Sequence, residues 1–169
     1  MTMPITRTSD VSGLLKQTRI DPRACFPEIF KLATSEDWKA REVAASLLVE
    51  ASKKKTDDIL AEMILWADHK NPNVRRTASE SLRDVARKAP EKVLPILKKL
   101  KADSNLYVRK SVANVLRNAG NYHPEFVLRV CTEWAREGNP HTAWIIKDGL
   151  RKLKTKYPKE VERLSNPHG

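Results

Sequence analysis

The 169-residue chain is long enough for one continuous core and short for two domains; with 40% apolar and 31% charged residues and only 5 glycines it suits a packed helical protein. Lys and Arg number 32 against 21 Asp and Glu, and this net charge of +11 points to a polyanionic partner, nucleic acid or an acidic membrane. Cys25 and Cys131 stand alone, His69, His123, His141 and His168 lack ligand spacing, and no apolar run approaches the roughly 18 residues that span a bilayer, so the expectation is a cytoplasmic protein with no metal, no cofactor and no membrane contact.

Residues 1–20 read as an N-terminal extension, partly disordered, to a single domain running to residue 169. Asp21-Pro22 opens the first helix, because a short polar side chain caps free amides and proline at the first helical position lacks only an amide that would go unpaired. Thr34 and Asp37 then fit a Thr-x-x-Asp capping box, with Trp38 behind it as a core residue. Arg41 starts the frame AREVAASLL, and the run Lys53, Lys54, Lys55 marks a solvated loop at the end of that helix. An amphipathic helix follows around Ile59 to Ala67, and Asn71-Pro72 opens the next, VRRTASESL, which continues through SLRDVARK with Val74, Ala78, Leu82, Val85 and Ala89 on one stripe. Val93 to Leu100 forms another helix. The frame VRKSVANVL carries the stripe Val108, Val112, Leu116, Ala119 and ends at Gly120, read as a left-handed terminator before His123-Pro124 opens Phe126 to Trp134. Asn139-Pro140 begins the last helix, with the weaker frame IKDGLRKLK.

Arg41, Arg75 and Arg109 fall in register at intervals of 34, and Lys147 follows after 38. Helix pairs with a period in the thirties predict an all-α fold, an α-solenoid (α-α superhelix) of about four helix pairs, each burying its apolar face against the next. The Val-Arg step at the start of each second helix resembles HEAT repeats, which implies a concave side lined by those helices.

The three registered arginines admit two readings. Each either bonds carbonyls or an acidic residue of the adjacent turn, or offers its charge to a bound anion beside the free amides of a helix N-terminus. Arg76 and Lys110, one residue on and about 100° further round, are not explained by the repeat and are the better ligand candidates. Cations on successive helices roughly 10 Å apart suit a phosphate backbone. The binding set read from sequence is Arg75, Arg76, Arg109, Lys110 and Lys147, with Arg41 and Arg151 next.

The segments SEDWKAREV, NPNVRRTASES, NLYVRKSVANVLRNAGNYHPEFVL and TAWIIKDGLRKL, spread over Ser35 to Leu153 and about 70% of the chain, resemble the HEAT-like DNA alkylation repair proteins, the AlkC branch more than AlkD. The resemblance implies a protein that holds duplex DNA in a basic concave groove, or a monofunctional glycosylase that removes N3- or N7-alkylated purines without metal or cofactor; the expected partner is duplex DNA, damaged or branched forms included, and the expected state a monomer. A cationic base leaves readily, so a carboxylate that stabilises the developing sugar cation and an aromatic face suffice for that chemistry. Carried over, these roles fall on Asp37 or Glu36 and on Trp38. The chain departs from the AlkC pattern in SLRDVARK, in Arg117-Asn118 where that branch has Asn-Asp, and in Asp148 where it shows His. A protein-interaction scaffold and an RNA-binding groove remain alternatives on the same charge and repeat pattern.

Overall fold

The 34-residue interval governs both helices of every pair. Pro22, Thr56, Pro90, Pro124 and Pro158 open α2 (Pro22–Ala33), α4 (Thr56–Trp66), α7 (Pro90–Leu100), α9 (Pro124–Ala135) and α11 (Pro158–Ser165). At the same interval Asp37, Asn71, Asn105 and Asn139 cap α3 (Trp38–Ser52), α5 (Pro72–Glu80), α8 (Leu106–Gly120) and α10 (Pro140–Leu150). The computed structural model describes residues 8–166, with side chains from residue 11. Within these residues α1 (Thr8–Ile20) precedes the first pair, α6 (Arg83–Lys88) follows α5, and a 3-10 turn (Arg151–Leu153) leads to α11. The four helix pairs α2/α3, α4/α5, α7/α8 and α9/α10 are those the sequence predicted, and the chain is all-helical as expected.

The chain divides into two compact units, with the boundary between Asp84 and Val85. In the first, Ile29, Ala33, Leu48, Ile59 and Met63 are fully buried, and Phe26 and Phe30 meet the Trp66 ring edge-on at 6.4 and 5.4 Å. In the second, Leu97, Leu116, Val130, Trp134 and Ile145 fill the core. Helices α8 and α10 pack closely there at Gly149, where an added Cβ would lie 3.2 Å from Leu116 Cδ1 and 3.3 Å from Leu116 Cβ. Cys25 and Cys131 are buried and free, and burial pushes the Cys131 pKa up to about 12. Among the described residues no helix is long and apolar enough to cross a membrane.

Several local expectations are corrected. The extension is helical from Thr8 and packs on α2 and α3, with Leu14 and Thr18 buried and Arg19 paired to Glu50 at 3.2 Å; residues 1–7 lie outside the described residues. A hydrogen bond from Lys53, then one from Arg19, holds the Glu50 carboxyl below its ordinary range. The helix expected through SLRDVARK breaks at Ser81-Leu82. There the buried Ser81 hydroxyl donates to the Ala78 carbonyl at 2.7 Å, and Thr77 donates to Asn73 in the preceding turn, so hydroxyls compete for helix carbonyls. Gly120 is the last helical residue of α8 and not a left-handed terminator. An added Cβ there would make ordinary contact with Leu153 at 3.4 Å, and among the described residues the left-handed glycine is Gly138, with φ of 68°.

Candidate functional site

The turn before each second helix is built the same way three times. In the first, Ser35 Oγ accepts from the Asp37 amide at 3.1 Å, Asp37 Oδ1 accepts from the Lys39 amide at 3.0 Å, and Arg41 reaches back to donate to the Ser35 and Glu36 carbonyls at 2.7 and 2.8 Å. In the second, His69 Nδ1 accepts from Asn71, Asn71 accepts from Asn73, and Arg75 donates to the His69 and Lys70 carbonyls at 3.0 Å each. In the third, Asp103 accepts from Asn105, Asn105 accepts from Tyr107 and Val108, and Arg109 donates to the Asp103 and Ser104 carbonyls at 3.1 and 2.7 Å. The bonds to Ser104 and Ser35 are charge-assisted and short, the strong kind.

This repetition favours the first of the two readings of the registered arginines. A cation in the first turn of a helix opposes the helix dipole. The guanidinium avoids that cost by turning onto the carbonyls of the preceding loop, while the cap side chain satisfies the amide that an anion would otherwise take. Arg41, Arg75 and Arg109 therefore tie loops to helices. Asp37 is itself the cap of α3 and belongs to no capping box with Thr34, whose hydroxyl donates to Lys31 as α2 ends. Its carboxylate is committed to the Lys39 amide, Glu36 is exposed, and Trp38 is 61% exposed where a core position was expected.

The fourth copy also keeps the interval of 34, not 38. Asn139 Oδ1 accepts from His141 and Thr142, and the position equivalent to Arg109 is Ala143, so Lys147 stands a turn beyond the register. The tie comes from the third copy: Arg109 reaches His141 Nδ1 at 3.2 Å and lies 5.5 Å from the Trp144 ring centroid, while Thr142 donates to Lys101 O at 2.7 Å.

One residue beyond the registered arginines, Arg76 pairs with Glu42 across α3 and α5 at 3.6 Å, and Lys110 is exposed with its ammonium over Tyr107 at 5.5 Å. Lys147 is exposed and, among the described residues, forms no ion pair. Arg151 is 63% exposed and 3.5 Å from Asp148. Two departures that looked separate in the sequence form one feature: Arg117 donates to the Asp148 carboxylate at 2.7 Å and to its carbonyl at 3.0 Å, joining α8 to α10. Sequence reasoning missed Trp144 and the exposed Lys39, Lys152, Lys154, Lys156 and Lys159. The first needed the 34-residue register to put it at the position equivalent to Lys110; the last four form, with Lys147 and Arg151, a basic stretch visible as KDGLRKLKTKYPK.

The HEAT-repeat pattern matches residues 26–117, more than half of the chain. The chain belongs to the HEAT-repeat family. Among solved structures this HEAT-repeat chain is similar to the Pseudomonas fluorescens alkylpurine DNA glycosylase AlkC bound to DNA containing an abasic site analog, at 29% identity and a TM-score of 0.68 over 96% of this chain and 52% of that one. It thus spans about half the length of AlkC. AlkD2 from Streptococcus mutans shares the fold at 24% identity and a TM-score of 0.71, over 84% of this chain and 70% of that one. The protein smu.31 from Streptococcus mutans UA159 does so at 24% identity and a TM-score of 0.70, over 84% and 73%. These likenesses bear out the resemblance to AlkC/AlkD-type HEAT-like proteins read from the sequence. No curated protein matches the chain.

Proposed function

We propose that the chain binds duplex DNA through the phosphate backbone, as a cytoplasmic monomer and without strong sequence preference. The observation that carries this reading is the division of labour among the cations. The registered arginines are engaged by loop carbonyls, whereas Lys39, Lys110, Lys147, Lys152 and Lys154 stand exposed on the second helices and the turn after α10. With Arg76 and Arg151 they supply the contacts. The likeness to an AlkC structure that holds DNA supports the same partner. Four to six phosphate contacts give a log-log slope of affinity against salt of about −4 to −5. Reversing Lys110 and Lys147 to Glu is expected to make the slope shallower by about 2 and weaken every duplex sequence alike. Affinity that is weak and indifferent to salt overturns the reading.

The 29% identity to an alkylpurine glycosylase favours excision as a second reading. Against it, Asp37 caps α3 and Asp148 is compensated by Arg117 and Arg151, so neither carboxylate is uncommitted toward a developing sugar cation. Methylated DNA incubated with the protein is expected to release no N3-methyladenine or N7-methylguanine above background. Release that disappears in Asp37→Asn or Asp148→Asn would establish excision.

A further inference from the structure

Two of the most exposed large side chains occupy the same turn of equivalent helices, one in each unit. Trp38 is the first residue of α3 and 61% exposed; Tyr107 is the second of α8 and 64% exposed. Each carries an ammonium from its own turn over the ring: Lys39 at 5.9 Å from the Trp38 centroid and Lys110 at 5.5 Å from that of Tyr107. The backbone beneath each is pinned, because Asp37 bonds the Lys39 amide and Asn105 bonds the amides of Tyr107 and Val108.

A large ring in water gives up the stabilisation that burial would bring. Neither ring contributes to a core. Held on a fixed turn, with a cation beside it, each ring loses little freedom when a second flat group lies on it. A nucleobase matches this arrangement on both counts: its face stacks on the ring and its phosphate neutralises the ammonium. An acidic peptide would match only the charge. In an intact duplex the base faces are covered by their neighbours, so the rings have nothing to stack on. Where nucleotides are unpaired, at a gap or in a single strand, the faces are available.

We propose that Trp38 and Tyr107, with Lys39 and Lys110, are stacking platforms for unpaired nucleobases, which give the protein a preference for DNA containing single-stranded nucleotides over intact duplex. This inference rests on the DNA reading above and adds to it the structure of DNA that is selected. Each platform is complete within its own unit, so the two act independently.

The test compares three labelled oligonucleotides of one sequence: an intact duplex, the duplex with a four-nucleotide gap, and the single strand, titrated at low and high salt. The wild-type protein is expected to bind the gapped DNA at least tenfold tighter than the duplex. Trp38→Ala and Tyr107→Ala each lose about tenfold on gapped and single-stranded DNA, in line with the worth of one base–aromatic stack, and change duplex affinity less than twofold. Trp38→Phe and Tyr107→Phe retain most of the preference. Leu65→Ala is the control, since Leu65 is 64% exposed but has no ring on which a base could stack. Equal affinity for gapped and intact duplex, or alanine variants that weaken all three DNAs alike, overturns the proposal. Salt-dependent duplex binding without a gap preference overturns the platforms and leaves the phosphate reading standing. Absence of binding to any of the three overturns both.

Discussion

Arg109→Ala is expected to lower the stability of the protein by about 2–3 kcal/mol, a fall in Tm of roughly 5–10 °C, while Lys110→Ala moves Tm by less than about 1 °C. Arg109 donates to two loop carbonyls and to His141, and its guanidinium lies beside Trp144. Truncation removes all of these at once. It leaves the Asp103 and Ser104 carbonyls without their charged donor and a first-turn cation no longer compensates them. Lys110, one residue on, is exposed over the Tyr107 ring and, among the described residues, has no such bonds to lose. Affinity for duplex DNA runs the other way. Lys110→Ala loses a phosphate contact and weakens binding at low salt, whereas Arg109→Ala acts on binding only as far as the turn before α8 loosens. Arg109→Lys restores less than half the lost stability, because a compact ammonium on a flexible stem lacks the planar guanidinium that lies beside the Trp144 ring while Nη1 holds the two carbonyls. Thermal unfolding and DNA titration on the three variants decide it. An Arg109→Ala protein with unchanged Tm and sharply weaker DNA binding would return Arg109 to the phosphate-binding set.

The repeat was legible because its marks are local. A capping residue, a proline at the first helical position and an apolar stripe at 3.6-residue spacing each follow from short-range chemistry, and Asn71-Pro72 and Asn139-Pro140 open α5 and α10 as read. The interval of 34 was recognised through the arginines, which is why the fourth copy went astray. Ala143 has no side chain to announce the register, and Lys147 was the nearest cation. Asn139 carried the correct register all along, at the position of Asp37, Asn71 and Asn105. What could not be read locally was the direction of a long side chain. Sequence leaves an arginine in the first turn free to face a carbonyl or a phosphate, and it places Trp38 equally well in a core or in water. The arginines settle on carbonyls five and six residues back, a choice the helical pattern does not encode, whereas Arg117 is settled by Asp148, 31 residues away.

That pair carries the second large effect. Arg117 is 11% exposed and makes bonds of 2.7 and 3.0 Å to the Asp148 carboxylate and carbonyl. Arg117→Ala is expected to cost about 2 kcal/mol, since it removes both bonds and leaves the partly buried Asp148 carboxylate with the exposed Arg151 as its remaining cation. Asp148→Asn costs less, about 1 kcal/mol, because an amide oxygen still accepts from Arg117 and the Asp148 backbone carbonyl keeps its bond. Replacing both partners, Arg117→Leu with Asp148→Leu, is expected to recover most of the single-variant loss. Removing two charges together takes away their desolvation along with their attraction, and the freed Arg151, 63% exposed, turns to solvent. A double-mutant cycle on Tm and chemical unfolding should give a coupling of about 1–3 kcal/mol. A coupling near zero would mean that each side chain is held by its own surroundings. The consequence reaches the site, because Lys110 and Tyr107 lie on α8 and Lys147 and Arg151 at or near the end of α10. With the pair intact the two sets of cations keep one spacing. In Arg117→Ala that spacing relaxes, and the salt slope becomes shallower although no phosphate-contacting residue has been changed.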